Sequence, residues 1–196
     1  MNHAVNDAAL DTLFRTARSH NRWLDKPVTP QILMALYDLL RWGPTSANCS
    51  PARFLFLASR AAKERLKPHL DQGNVEKTLT APVCAIIGYD VDFAQKLPRL
   101  YPYDPKAKTW FTDPKHAETT AFRNGTLQGA YLIMAARAVG LDAGPMSGFD
   151  RAGVDREFFP EGRIKSNFLC GLGYGDERAL IPRQPRLSFD EACKIL

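Results

Sequence analysis

The chain has 196 residues, 45% of them hydrophobic and 24% charged, with a formal net charge of +5. That length suits one domain with its own core, and that composition excludes a disordered chain. Acids are interspersed among the basic residues, so the modest positive balance fits bound phosphate or an acidic small molecule, and no nucleic-acid partner is expected.

In chain order, Asp7 to Arg18 sets Leu10, Leu13, Phe14 and Ala17 at helical spacing and predicts an amphipathic helix. Thr29-Pro30 reads as a cap followed by proline at the first helical position. Ile32, Leu33, Leu36, Tyr37 and Leu40 carry this second helix to Gly43-Pro44, which ends it. Arg53 to Leu57 is a short apolar strand, and Ser59 caps a third helix bearing Ala62, Leu66 and Leu70. Pro82 to Tyr89 is apolar on both faces, which marks a central strand. Residues 98–115, rich in Pro, Tyr, Lys and Asp, read as a loop long enough to imply a role, such as a lid. The longest helix is predicted over about His116 to Val139, with Leu127, Tyr131, Met134, Ala135 and Ala138 facing inward and Gly140 ending it. Leu141 to Phe149 gives a short strand and a glycine-bearing loop. Phe168 to Leu172 is a further strand, before a basic tail containing prolines. No linker or repeat divides the chain, so residues 1–196 form a single α+β domain.

No stretch approaches the roughly 20 apolar residues of a membrane span, and the first residues lack the apolar core of a secretory leader. The expectation is a cytoplasmic protein, with no membrane partner, whose Cys49, Cys84, Cys170 and Cys193 stay reduced. Several familiar motifs fail on their mechanics. Gly171, Gly173 and Gly175 suggest a dinucleotide loop, but such a loop opens a helix with an acid about 20 residues on. Here the chain leads through Asp176 to Pro182, so a strand exit with close backbone packing is the better reading. Ser147 does not sit centrally in a nucleophile elbow. His3, His20, His69 and His116 lack metal-ligand spacing, so no metal is expected. Cys49 has no identifiable histidine partner and reads as a small buried residue.

What remains is a set of separated polar segments. Arg18-Ser19-His20-Asn21 follows the first helix, where a guanidinium and polar groups can hold a phosphate, or simply end a helix in solvent. Gly43 to Pro51 is a stiff loop of small hydroxyls and an amide between prolines. Asn74 and Lys77, at i and i+3, can share one side of a helical turn and bracket an anion. Gly140 to Phe149 has glycines that let backbone amides approach a flat ring.

Together and in this order, these segments resemble the nitroreductase family of FMN enzymes over nearly the whole chain. The family's R-R-S-x-R phosphate segment is matched imperfectly by Arg18-Ser19-His20-Asn21, with Ala17 on its first arginine. P-S-S-x-N-x-Q-P-W is similar to Pro44 through Ala52, and N-x-x-K falls on Asn74 and Lys77. G-L-D-x-x-P-I-E-G-F falls on Gly140 to Phe149, with Met146 for Ile and Ser147 for Glu. A late basic pair is matched by Arg183 and Arg186. The likeness is closer still to the malonic semialdehyde reductase branch of bacterial pyrimidine degradation. It is carried by R-W-G-P-T-S-A-N-C-S-P-A-R from Arg41, T-A-F-R-N from Thr120, G-P-M-S-G-F-D from Gly144 and P-R-L-S-F-x-E-A from Pro185.

The resemblance implies a central mixed sheet flanked by helices, in a homodimer with an extended C-terminal tail and FMN at the interface. It implies Arg18, Ser19, Lys77, Arg183 and Arg186 near the phosphate and ribityl chain, with His20 and Asn21 in the same segment and Asn74 near the pyrimidine ring. Pro44, Thr45, Ser46 and Asn48 would come from the partner subunit. Pro145, Met146, Ser147 and Gly148 would line the ring, with Asn124 beside the cavity. An alternative register gives Arg22 the role of a family basic residue. No side chain is expected to be catalytic, because hydride chemistry belongs to the flavin. NADH or NADPH is the implied co-substrate, and 3-oxopropanoate the implied acceptor, reduced to 3-hydroxypropanoate. Arg53 and Arg123 are the two candidates for its carboxylate. The alternatives are a broad nitro or quinone reductase and, in another class, a flavin-binding module without turnover.

Overall fold

The apolar run Val83–Asp90 is buried at every residue, as a strand with helices on both faces must be. It is the second of four strands: β1 (Ala52–Leu57), β2 (Val83–Asp90), β3 (Asp142–Met146) and β4 (Ile164–Gly173). They form one sheet in the order β1-β2-β4-β3. Residues 3–196 are described by the computed structural model. The implied mixed sheet is antiparallel at each of its strand junctions. Parallel pairing is confined to one isolated bridge, Ser19 with Ala143.

Alternation along β2 divides the core. Val83, Ala85 and Ile87 pack with Leu36, Leu40 and Leu132 on one face, while Cys84 and Ile86 pack with Leu66, Val154 and Leu169 on the other. The helices are α1 (Asp7–Leu10), α2 (Pro30–Leu40), α3 (Arg60–Leu66), α4 (Gln72–Thr80), α5 (Leu97–Leu100), α6 (Pro114–Ala138), α7 (Arg151–Phe158) and α8 (Phe189–Ala192). The first helix passes into a π-helical turn and ends at Arg15, short of the expected Arg18. Local caps set the other starts. Thr29 accepts from Ile32 N ahead of Pro30, and Ser59 accepts from Ala62 N. Asp113 accepts from Lys115 N and His116 N ahead of Pro114, and Gly140 follows the end of α6 in the left-handed region, at φ 80°.

Two expectations need correction. In α6 the buried stripe includes Ala117, Ala121, Gly125, Gly129, Leu132 and Ala135, whereas Leu127 and Tyr131 are exposed. Small residues bring the helix onto the sheet: a Cβ on Gly129 would lie 2.6 Å from Phe168, and one on Gly125 3.0 Å from Tyr89. Residues 98–115 are not a structureless loop. Leu97–Leu100 and a 3₁₀ turn at Ala107–Phe111 contribute to a satellite core with Phe93, Tyr89 and Cys49. Residues 181–196 are exposed and take no part in the sheet. No described helix is long and apolar enough to cross a membrane.

Candidate functional site

After Arg15 the chain runs alongside β3, with His20 N donating to Ala143 O at 3.1 Å. Bare backbone opposite makes this approach possible, since a Cβ on Gly144 would strike the His20 carbonyl. Along the segment Ser19 and Asn21 are exposed, Arg18 is half-buried and His20 is buried. His20 sits against Gly175, with Nε2 3.5 Å from Asp142 Oδ1, while Asp142 Oδ2 accepts from Gly175 N at 2.8 Å. It therefore packs the exit of β4 and does not face outward as a ligand would.

The tail lies across this segment. Arg183 donates to the carbonyls of Arg15 and Ala17 at 2.9 and 3.0 Å, and Arg18 donates to the Ile181 carbonyl. Arg18, Arg183 and His20 line a cavity of about 420 Å³. A third arginine that sequence reasoning missed, Arg137 at the end of α6, lines it too. Arg137 donates to Leu13 O at 3.0 Å, and its buried Nε has no partner among the described residues. Arg186 bonds the nearby carbonyls of Gln184 and Pro185 and is not drawn into this group.

Helix α4 brings Asn74 and Lys77 to the end of β3. Asn74 Nδ2 donates to Gly148 O at 2.9 Å, and Lys77 Nζ donates to Asn74 Oδ1 at 3.3 Å. Asp71 N also donates to Gly148 O, at 3.1 Å. A Cβ on Gly148 would lie 2.6 Å from Asp71 Oδ2 and 2.7 Å from Asn74 Nδ2, so only glycine permits this closure. Trp23 Nε1 donates to Lys77 O at 3.2 Å. Its ring lies over β4, 2.7 Å from where a Gly171 Cβ would stand. The late glycines thus admit close packing. Pro145 and Ser147 are exposed, whereas Met146 is buried and accepts a contact from Thr78 Oγ1 at 3.8 Å, leaving its backbone for any outward role. Lys63, unremarked in the sequence, donates to Leu79 O and Ala81 O and secures the C-terminal end of α4. Burial pulls its ammonium pKa below the ordinary lysine range.

A second group forms around Pro44 to Pro51. Ser46 N donates to Asn124 Oδ1 at 2.9 Å, Ser50 N to Thr45 Oγ1 at 3.1 Å, and Asn48 Nδ2 to Leu100 O at 2.8 Å. Asn124 is buried, and its Nδ2 donates to Thr120 O. Ala47, Asn48 and Ser50 adopt φ values of 49°, 49° and 40°, a left-handed region that L-residues rarely occupy. This group adjoins the Asp90 end of β2, where Asp90 N donates to Pro51 O. The Ser19–Ala143 bridge lies level with Val83, through Leu172 of β4. At about 3.3 Å per strand residue, that bridge stands on the order of 20 Å from the second group along the sheet, while Met146, beside the Asn74–Gly148 closure, lies level with Ile86.

Arg53 is not free for an acceptor. Its guanidinium donates to Ser50 O at 3.1 Å, Ala52 O at 2.7 Å and Asp90 Oδ2 at 2.6 Å. Arg123 is exposed on α6. Thiol chemistry has no seat inside the protein. Burial pushes the Cys49 thiol up to about 11, and those of Cys84 and Cys170 to about 12.

Comparison with known proteins adds a family to this geometry. The Nitroreductase family model matches residues 14–174. A relative from Stenotrophomonas maltophilia (strain K279a), provisionally named NADH dehydrogenase/NAD(P)H nitroreductase, is 61% identical over 196 residues, covering 100% of both chains. Among solved structures, the nitroreductase ydfN of Bacillus subtilis superposes with a TM-score of 0.88 at 20% identity, covering 97% of this chain and 100% of that one. A nitroreductase of Exiguobacterium sibiricum 255-15, solved in complex with FMN, superposes with a TM-score of 0.83 at 16% identity over 100% of both chains. At those identities the two structures speak for the fold alone.

Proposed function

Since the chain belongs to the Nitroreductase family, we propose that it is a cytoplasmic, homodimeric, FMN-dependent NAD(P)H oxidoreductase that reduces 3-oxopropanoate to 3-hydroxypropanoate in pyrimidine degradation. The observation that carries the reading is the meeting of Lys77, Asn74 and Gly148 from separate parts of the chain. These residues fit a flavin chemically. They offer a cation and an amide beside backbone that a side chain would obstruct, which suits a flat, polar ring. Arg18 and Arg183, gathered where the tail crosses the segment that also bears Ser19, suit a phosphate together with that serine. His20 and Asn21 are retained as neighbours of that group rather than its main donors, and Arg186 stands outside it, bonded to its own tail. Bound there, FMN supplies hydride transfer, from NADH or NADPH and then to the acceptor.

The protein's own part is positioning and electrostatics. Asn74 orients Lys77, and Lys77 sets positive charge where the reduced ring gathers negative charge. Pro145, Met146, Ser147 and Gly148 contribute backbone and exposed edges to the ring's surroundings. Pro44, Thr45, Ser46, Asn48 and Asn124 form a separate group within this chain, and in the proposed dimer they serve the second copy's site. The apolar side chains left open on α2 (Met34, Tyr37) and α6 (Phe122, Leu127, Tyr131) favour the same pairing.

A second reading, a broad nitro or quinone reductase, is favoured by the name of the 61% identical relative. Purified protein separates these readings. A yellow preparation that rebinds added FMN is expected, and a colourless one indifferent to FMN defeats both. The ratio of kcat/KM for 3-oxopropanoate to that for a quinone then decides between them, because specificity is that ratio. A ratio favouring the quinone would establish the second.

A further inference from the structure

Three left-handed residues without glycine, Ala47, Asn48 and Ser50, form the tightest departure from ordinary backbone among the described residues. That region is strained for side chains such as alanine and serine, and strain of that kind persists only where the surroundings over-determine it. The surroundings here include Arg53. One guanidinium nitrogen donates to both Ser50 O and Ala52 O, the other to Asp90. Asp90 has a fully buried side chain and also accepts from Lys96 Nζ at 3.2 Å and Asp92 N at 3.0 Å. A rigid strand thus anchors the carboxylate, the carboxylate anchors the guanidinium, and the guanidinium holds the carbonyls of the loop's last left-handed residue, Ser50, and of Ala52 just beyond it.

We infer that Arg53 is a positioning residue, which holds Thr45, Ser46 and Asn48 in the conformation that serves the cofactor site. The inference rests on the proposed split flavin site and adds to it a residue that touches no ligand. Lysine cannot replace it. An ammonium can keep the charge on Asp90, but it lacks the planar fork that spans the carbonyls and the carboxylate together.

The test compares wild type, Arg53→Lys and the double variant Arg53→Lys with Ser50→Gly. Ser50 is outside the proposed ligand set, and glycine occupies the left-handed region without a Cβ penalty. FMN dissociation constants are read from flavin fluorescence, and loop order from hydrogen exchange of the amides in residues 46–53. Arg53→Lys should weaken FMN binding at least tenfold and speed exchange in 46–53, with exchange in β2 unchanged. Adding Ser50→Gly should recover much of both losses. Wild-type affinity and protection in Arg53→Lys would overturn the inference. So would lost affinity with unchanged protection, which would make Arg53 a direct ligand. If the wild type does not bind FMN at all, the flavin reading falls, while the exchange measurement still reports whether Arg53 orders the loop.

Discussion

Lys77 is held by one side chain and one ring. Asn74 Oδ1 takes its ammonium at 3.3 Å, and Trp23 bonds its carbonyl. Lys77→Ala is therefore expected to leave the fold intact and weaken FMN retention by roughly 1.5–3 kcal/mol, the worth of a charged hydrogen bond. Equilibrium dialysis of the flavin measures it, and unaltered retention removes Lys77 from the site. The thiols give a second residue-level expectation. Cys49, Cys84 and Cys170 are buried and Cys193 is exposed, and the buried thiols are held protonated far above neutral pH. A thiol reagent at pH 8 should label the native chain at Cys193 and reach the others only after denaturation. The nearness of Asn74 and Lys77 could be anticipated from their i, i+3 spacing. Their contact with Gly148 could not, except through the family resemblance. Burial separates His20, and bonds already made to Ser50, Ala52 and Asp90 separate Arg53, from the roles first considered for them; a local run of letters encodes neither.

At the level of elements, those bounded by their own chemistry were legible: α2 from Thr29-Pro30, β2 from its unbroken apolar run, and α6 to within a few residues. The buried face of α6 was misjudged for a physical reason. Periodicity favours large apolar side chains, yet this helix packs through Gly125 and Gly129, which permit close approach, and its large residues face outward. Helix α7 was missed because its apolar positions are few. The junction of β1 and β2 yields an acid-dependent prediction. Burial alone would raise the Asp90 carboxyl, but Arg53, Lys96 and the Asp92 amide outweigh it and hold it below the usual carboxylate range. A carboxyl depressed on folding contributes stability that is present above its unfolded value, about 4, and is lost as pH falls through the folded value. Asp90→Asn should therefore cost about 3 kcal/mol at pH 7, near the lower end for a buried pair because Arg53 is partly exposed. The gap from wild type should shrink below pH 4. Denaturant titrations across pH check this, and a gap independent of pH would refute it.

For the whole molecule, the question is what covers its apolar side. Trp42, 78% exposed just past the end of α2, and Tyr131, 41% exposed on α6, are large apolar side chains open to solvent. Placing glutamate at both positions should yield monomers by sedimentation and lose FMN in the same protein. Monomers that keep wild-type flavin affinity would show that one chain suffices. That Pro44 to Pro51 and Asn74 with Lys77 serve one site of a proposed pair of chains was legible only through the family resemblance, because composition and periodicity carry no record of a second molecule. The proposed sharing of the site would tie colour to concentration. When a ligand needs groups from two chains, its affinity and theirs for each other are thermodynamically reciprocal: whatever factor pairing adds to flavin binding, the flavin adds to pairing. Dilution should then bleach the protein by mass action, and riboflavin phosphate in excess should restore the pair.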